Sequence, residues 1–203
     1  MSDWRTITAS APAKVILHGE HSVVYGKLAL AASLDLRTKV TIKNINHVKQ
    51  QRRNLRVHFL SYAKTPIDID LEVIRSLSYD LGTTCIDEIL KTKLVQLVCD
   101  CCPEEHLVHS EGLVAFLYLM VALFQESGLI IPAAIEVTVN SDIPIGAGLG
   151  SSAAFSVASA AALIQLLLGL QRRPKCDLKT VQDRICQWSF KSEKIIHGTP
   201  SGK

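Results

Sequence analysis

A glycine-rich connector between a strand pattern and a helix pattern constrains this chain more than any other stretch. Residues 144–154 read Pro-Ile-Gly-Ala-Gly-Leu-Gly-Ser-Ser-Ala-Ala. Ahead of them, Ile135-Glu136-Val137-Thr138-Val139 alternates apolar with polar and is rich in β-branched side chains, the pattern of a half-buried strand. Behind them, Ala153 to Leu170 is apolar and rich in helix formers, and Ser151 or Ser152 suits the N-cap. Gly146, Gly148 and Gly150 let the backbone take positive φ and approach a ligand closely, while the unpaired N–H groups of the first helical turn point back into the loop. An anion fits such a cradle, and phosphate is the natural candidate. A tight turn that packs a helix on a sheet would use the same glycines. The spacing is not that of the Walker loop, which needs Gly-Lys-Ser/Thr, nor that of the G-x-G-x-x-G dinucleotide fingerprint. Within a phosphate cradle, the Ser152 hydroxyl is placed to meet a magnesium ion.

Composition narrows the partners. At 203 residues and 48% hydrophobic content the chain has ample material for a buried core. A net charge of +3 without a basic stripe interleaved with aromatics argues against nucleic acid. The basic residues Lys39, Lys43, Lys49, Arg52, Arg53 and Arg56 read as a solvated loop or hairpin. Met1-Ser2-Asp3-Trp4-Arg5 has no secretory character, which points to a cytoplasmic protein whose six cysteines are mostly reduced. Cys99-Asp100-Cys101-Cys102 with His106 and His109 resembles a metal cluster only loosely, since paired C-x-x-C spacing is missing. No membrane span is expected: Leu113 to Phe124 is too short, and Ser156, Ser159 and Gln165 interrupt Ala153 to Leu170, which suits a helix buried on a sheet.

In chain order, Ala11 to Leu17 predicts a short strand that breaks at Gly19 into a polar elbow holding His18, Glu20 and His21. Lys14 is either a surface charge on this strand or part of a functional elbow. Leu28 to Leu34 and the alternating Arg37 to Lys43 predict a meander or hairpin, residues 44–56 a loop, and Val57 to Ser61 an edge strand. Helices are expected over Asp68 to Leu81, Thr84 to Val98 and Ser110 to Ser127, with Cys99 to His106 as a connector. A last helix starts at Asp177 or Thr180 and carries Leu178, Val181, Ile185, Trp188 and Ile195 on one face.

Three stretches taken together resemble the GHMP small-molecule kinases, and within them the mevalonate kinases. They are Lys14-Val15-Ile16-Leu17-His18-Gly19-Glu20-His21 with the following Ser-Val-Val-Tyr-Gly-Lys, Pro144-x-Gly146-x-Gly148-Leu149-Gly150-Ser151-Ser152-Ala153, and His197-Gly198-x-Pro200-Ser201-Gly202. The resemblance implies an α+β fold with a mixed or antiparallel sheet and helices, of the ribosomal protein S5 domain 2 type. It implies ATP and Mg2+ as cofactors, with Lys14, Ser141, Gly146, Ala147, Gly148, Leu149, Gly150, Ser151 and Ser152 at the nucleotide. By the same resemblance Ser152 and Glu193 hold the metal, Lys14 faces the transferred phosphate, and Glu20, His21 and His197 meet mevalonate. A homodimer is compatible with the family.

Two departures stand out. Ala13 occupies a position that is usually glycine, and no aspartate follows Pro200-Ser201-Gly202 before Lys203, where the family places its catalytic carboxylate. Residues 1–203 are therefore expected to be an N-terminal, ATP-binding GHMP domain that is truncated and lacks the C-terminal one. By itself the fragment is expected to be inactive. Three functions follow from this reading: phosphorylation of mevalonate to 5-phosphomevalonate in isoprenoid and sterol synthesis, a catalytically dead nucleotide-binding module, or a GHMP kinase for another alcohol.

Overall fold

Alternation of buried apolar and exposed polar residues pairs Thr6–His18 with Leu30–Asn44 as two long strands. The computed structural model describes residues 6–22, 25–45, 54–61, 65–77, 86–102, 110–171 and 177–198. Strand β1 (Thr6–His18) runs antiparallel to β2 (Leu30–Asn44), from Thr6 opposite Lys43 to His18 opposite Leu30. Ala11, Ala13, Val40 and Ile42 are buried, while Thr8 and Thr41 join hydroxyls at 3.1 Å across the ladder. Ala13 lies beside a register shift in β1 with its methyl buried, so this position in extended strand accepts a side chain.

Three further strands complete one sheet: β3 (Asn54–Phe59), β4 (Ile67–Asp70) and β5 (Ile135–Ser141), in the order β1-β2-β5-β3-β4. β5 is central, antiparallel to β2 and parallel to β3. The chain is thus α+β with a mixed sheet, as expected. Two expectations need correction. The strand expected at an edge, β3, lies between β5 and β4, because Leu55, Val57 and Phe59 are buried and both flanks are paired. The helix expected from Asp68 begins later. Ile67 and Ile69 point into the core and Asp68 receives both ends of the Arg56 fork at 2.8 and 3.0 Å, so these residues extend the sheet. Asp70 then caps the short α1 (Leu71–Ser76) by accepting from Glu72 N–H; residues 78–81 lie outside the described set.

The helices follow the pattern more closely. They are α2 (Ile86–Cys101), α3 (Ser110–Ser127), α4 (Ser151–Gln171) and α5 (Leu178–His197). α2 continues through Cys101, so the expected connector begins as helix; residues 103–109 lie outside the described set. In α3, every residue from Leu113 to Phe124 is buried, with α2, α4 and α5 packed around it. α4 is the one described helix long and apolar enough to cross a membrane by length and composition, and here it packs on β1, β2, α3 and α5. Asp177 caps α5, whose Trp188 and Ile195 are buried and Val181 and Ile185 partly so; Leu178, expected on that face, is exposed at the first helical position.

The basic residues described between 39 and 56 belong to strands rather than to a loop. Arg56 pairs with Asp68, and Lys43 approaches Glu136 at 3.9 Å on the polar face of the sheet. Lys49, Arg52 and Arg53 lie outside the described residues.

Candidate phosphate and metal site

The expected strand–loop–helix is present, and it opens a cleft of about 450 Å³. β5 ends at Ser141 and α4 begins at Ser151, two residues earlier than the sequence suggests. Ser151 and Ser152 therefore sit within the first turn rather than capping it, and the Gly150 carbonyl accepts from Ala154 N–H at 2.9 Å. Gly146, Gly148 and Gly150 have φ of 75°, 70° and 72°. This alternation of left-handed glycines with ordinary residues is the backbone of an anion-binding concavity at a helix N-terminus. Every residue from Pro144 to Ser152 lines the cleft.

Gly150 is fixed twice over. Besides its positive φ, a Cβ there would come within 3.1 Å of Lys14 Cγ. Lys14 N–H donates to the Leu149 carbonyl at 3.0 Å, so β1 ties down the loop from the side while the lysine stem crosses it. Lys14 is thus brought to the loop, although it does not line the cleft itself.

At the helix end of the loop, α4 and α5 bring four polar side chains together. Ser152 Oγ lies 3.4 Å from Glu193 Oε2 as donor, and 3.0 Å from His197 Nε2. Glu193 is 6% exposed, and among the described residues its hydrogen-bond donors are the hydroxyls of Ser152 and Ser156. A carboxylate so deep and so weakly compensated suits a cation. Hard oxygen donors, a carboxylate beside a hydroxyl at the mouth of a phosphate cradle, fit magnesium. His197, expected at the acceptor substrate, touches Ser152 and lines the same cleft.

The other expected residues divide. Ser141 lines the cleft, but its hydroxyl is engaged by Thr38 Oγ1 at 2.8 Å and by Ile143 N–H at 3.3 Å. Glu20 and His21 are exposed in the turn after β1 and do not line the cleft. That turn is tight, because a Cβ on Gly19 would meet the Leu28 carbonyl at 2.6 Å. Among the described residues no group of three metal-binding side chains forms. Burial foremost raises the Cys101 and Cys102 thiols above their ordinary range, which disfavours the thiolate a metal needs; His106 and His109 lie outside the described set.

The structure adds residues that the sequence did not mark. Phe59 and Phe155, with ring centroids 6.3 Å apart, join Val139 and Ile196 as an apolar wall of the cleft, and Thr38 and Glu111 add polar points. These come from separate elements and share no spacing. Ser156 was visible only as a hydroxyl interrupting an apolar stretch, and Ser192 was not marked at all.

A left-handed glycine loop after the central strand of a mixed sheet, feeding a buried helix, is the construction found in one class of phosphate-handling domain. Residues 115–203 match the model of the GHMP kinases N terminal domain. Over 210 residues it is 35% identical to the mevalonate kinase of Arabidopsis thaliana, covering 97% of this chain and 53% of that protein. Against the mevalonate kinase of Homo sapiens it is 36% identical over 215 residues, with 97% and 50% covered. The fold is similar to that of the Methanococcus jannaschii mevalonate kinase, with a TM-score of 0.64, 21% identity, and 99% of this chain and 50% of that one covered. The chain spans about half the length of the curated relatives that it matches.

Proposed function

We propose that these residues form the ATP- and magnesium-binding part of a mevalonate kinase, which moves the terminal phosphoryl group of ATP to the primary hydroxyl of mevalonate in isoprenoid and sterol synthesis. The observation that carries this reading is the convergence of Lys14, at Leu149 and Gly150, and of the Ser152–Glu193 pair on the helix end of one glycine loop. The glycine-loop N–H groups hold the phosphates by position and charge. Lys14 adds a fixed positive charge at the Leu149–Gly150 end, where charge developing on the transferred group is stabilised. Ser152 and Glu193 would hold magnesium, which supplies neutralisation of phosphate oxygens when bound. The apolar wall of Phe59, Phe155 and Ile196 gives the nucleoside a dry surface.

The 203 residues by themselves are expected to bind nucleotide through the glycine loop. Calorimetry with ATP, with and without magnesium, tests the binding half. Magnesium should tighten ATP binding to the unaltered chain, and Ser152→Ala or Glu193→Gln should each remove most of that gain while leaving metal-free binding intact. Equal loss of metal-free binding would return both residues to a structural role. ADP release with mevalonate and a panel of other alcohols, measured on the 203 residues and on a longer chain through the natural downstream residues, tests the acceptor.

A further inference from the structure

We infer that Ser156 is a positioning residue for the metal site, setting the Glu193 carboxylate so that one oxygen faces Ser152 and the cleft. This inference rests on the magnesium reading above and extends it to a side chain outside the cleft. Ser152 and Ser156 stand one turn apart on α4, and the Glu193 carboxylate is bracketed between them: Ser152 Oγ lies 3.4 Å from Oε2 and Ser156 Oγ 3.3 Å from Oε1. Ser152 lines the cleft; Ser156 is fully buried behind it. Glu193 does not line the cleft itself, and its two oxygens have different partners: Oε2 meets the cleft-lining Ser152 and Oε1 the buried Ser156.

Burial makes the anchor consequential. Ser156 and Ser192 are both at 0% exposure, and Ser192 Oγ lies 3.0 Å from Ser156 Oγ. The single Ser156 hydrogen has two acceptors in reach, and the carboxylate is the stronger because it is charged. Water has no access to replace this donor. Without it, Oε1 would lose its partner in a low-dielectric setting and the carboxylate would be free to rotate away from Ser152. Ser159, three residues further along α4, supplies an internal contrast: it is equally buried, yet its hydroxyl has no hydrogen-bond partner among the described residues. A hydroxyl there carries no comparable duty.

The test uses the 203-residue chain with Mn2+ as a paramagnetic stand-in for magnesium, its binding in the presence of ATP read by electron paramagnetic resonance, and ATP binding in EDTA read by calorimetry. Ser156→Ala should weaken Mn2+ binding about 10- to 100-fold, the range for removing a hydrogen-bond partner of a metal-binding carboxylate. ATP affinity in EDTA should stay unchanged, and Ser159→Ala should leave both values unchanged. Should Ser156→Ala fail to fold, Ser156→Cys, close in size but a weak donor, carries the same comparison. Unchanged Mn2+ binding in the folded Ser156 variant, while Glu193→Gln abolishes it, overturns the positioning role alone. Absence of nucleotide-dependent Mn2+ binding in the unaltered chain overturns the magnesium reading, and the positioning role with it.

Discussion

The loop from Pro144 to Ser152 and the elbow after β1 are both glycine-bearing turns with polar side chains, yet the structure treats them oppositely. The loop is held from three directions: by the central strand β5, by α4, and by Lys14 crossing Gly150. The elbow is held chiefly by its own turn, with Ser22 Oγ donating to the Gly19 carbonyl, and around it Leu17, Tyr25, Leu28 and Leu30 are 61%, 81%, 95% and 61% exposed. One region is a tied-down loop lining a cleft, and the other presents apolar side chains to solvent. Phosphate recognition needs backbone N–H groups and a helix end, which a single chain segment supplies. Recognition of an acceptor needs side chains converging from several places, and Glu20 and His21 do not line the cleft.

The largest effect should come at the seam between the two regions. In an extended chain that phosphorylates mevalonate, Lys14→Met should lower kcat by about 10²–10³-fold, the range for removing a group that stabilises transition-state charge. Steady-state kinetics with the KM for ATP checked in parallel would show it. A loss confined to KM would place Lys14 with the loop as a binding residue only.

An intermediate effect is expected inside the loop. Gly148→Val should weaken ATP binding about 10- to 100-fold, since one charge-assisted hydrogen bond at about 1.5–3 kcal/mol is at stake. The space beside Gly148 is open, so the damage comes from its φ of 70° and from obstruction of the ligand. Gly150→Ala adds a contact with Lys14, and left-handed strain alone should cost about 1–3 kcal/mol of stability. Thermal denaturation without ligand of Gly150→Ala beside Gly148→Ala, which share the left-handed φ and differ in the Lys14 contact, isolates that contact; equal destabilisation would remove the special status of Gly150. Leu149→Ala should change ATP binding less than either.

The smallest effect belongs to the elbow. Glu20→Ala and His21→Ala should leave ATP affinity within about twofold and stability within about 0.5 kcal/mol, as exposed substitutions usually do. Calorimetry showing a larger loss of ATP affinity would join the elbow to the nucleotide site and dissolve the contrast.

The same contrast explains what the sequence disclosed. The loop, α3 and α5 were legible because each is specified locally, by glycines, by a sustained apolar run and by the Asp177 cap. β4 was read as helix because Ile67-Asp68-Ile69-Asp70 is short and its strand character comes from Arg56, twelve residues earlier. β3 was placed at the edge because nothing in its six residues reveals that β5 pairs alongside it. The pairing of Ser156 with Glu193 was equally hidden, being a contact between two helices across 37 positions.

The place of β5 in the sheet also bears on how the chain is made. Its two flanking neighbours, β2 and β3, are complete long before it, and about 90 residues separate the end of β2 from its start. At about 5–20 residues per second of synthesis, the facing edges of two half-sheets stand open for roughly 5–20 s. The strand that zips them together leads directly into the glycine loop. On the proposed reading of the loop as a phosphate cradle, a nascent chain would gain that grip only as the sheet closes, because the strand that joins the half-sheets is the one that leads into the loop.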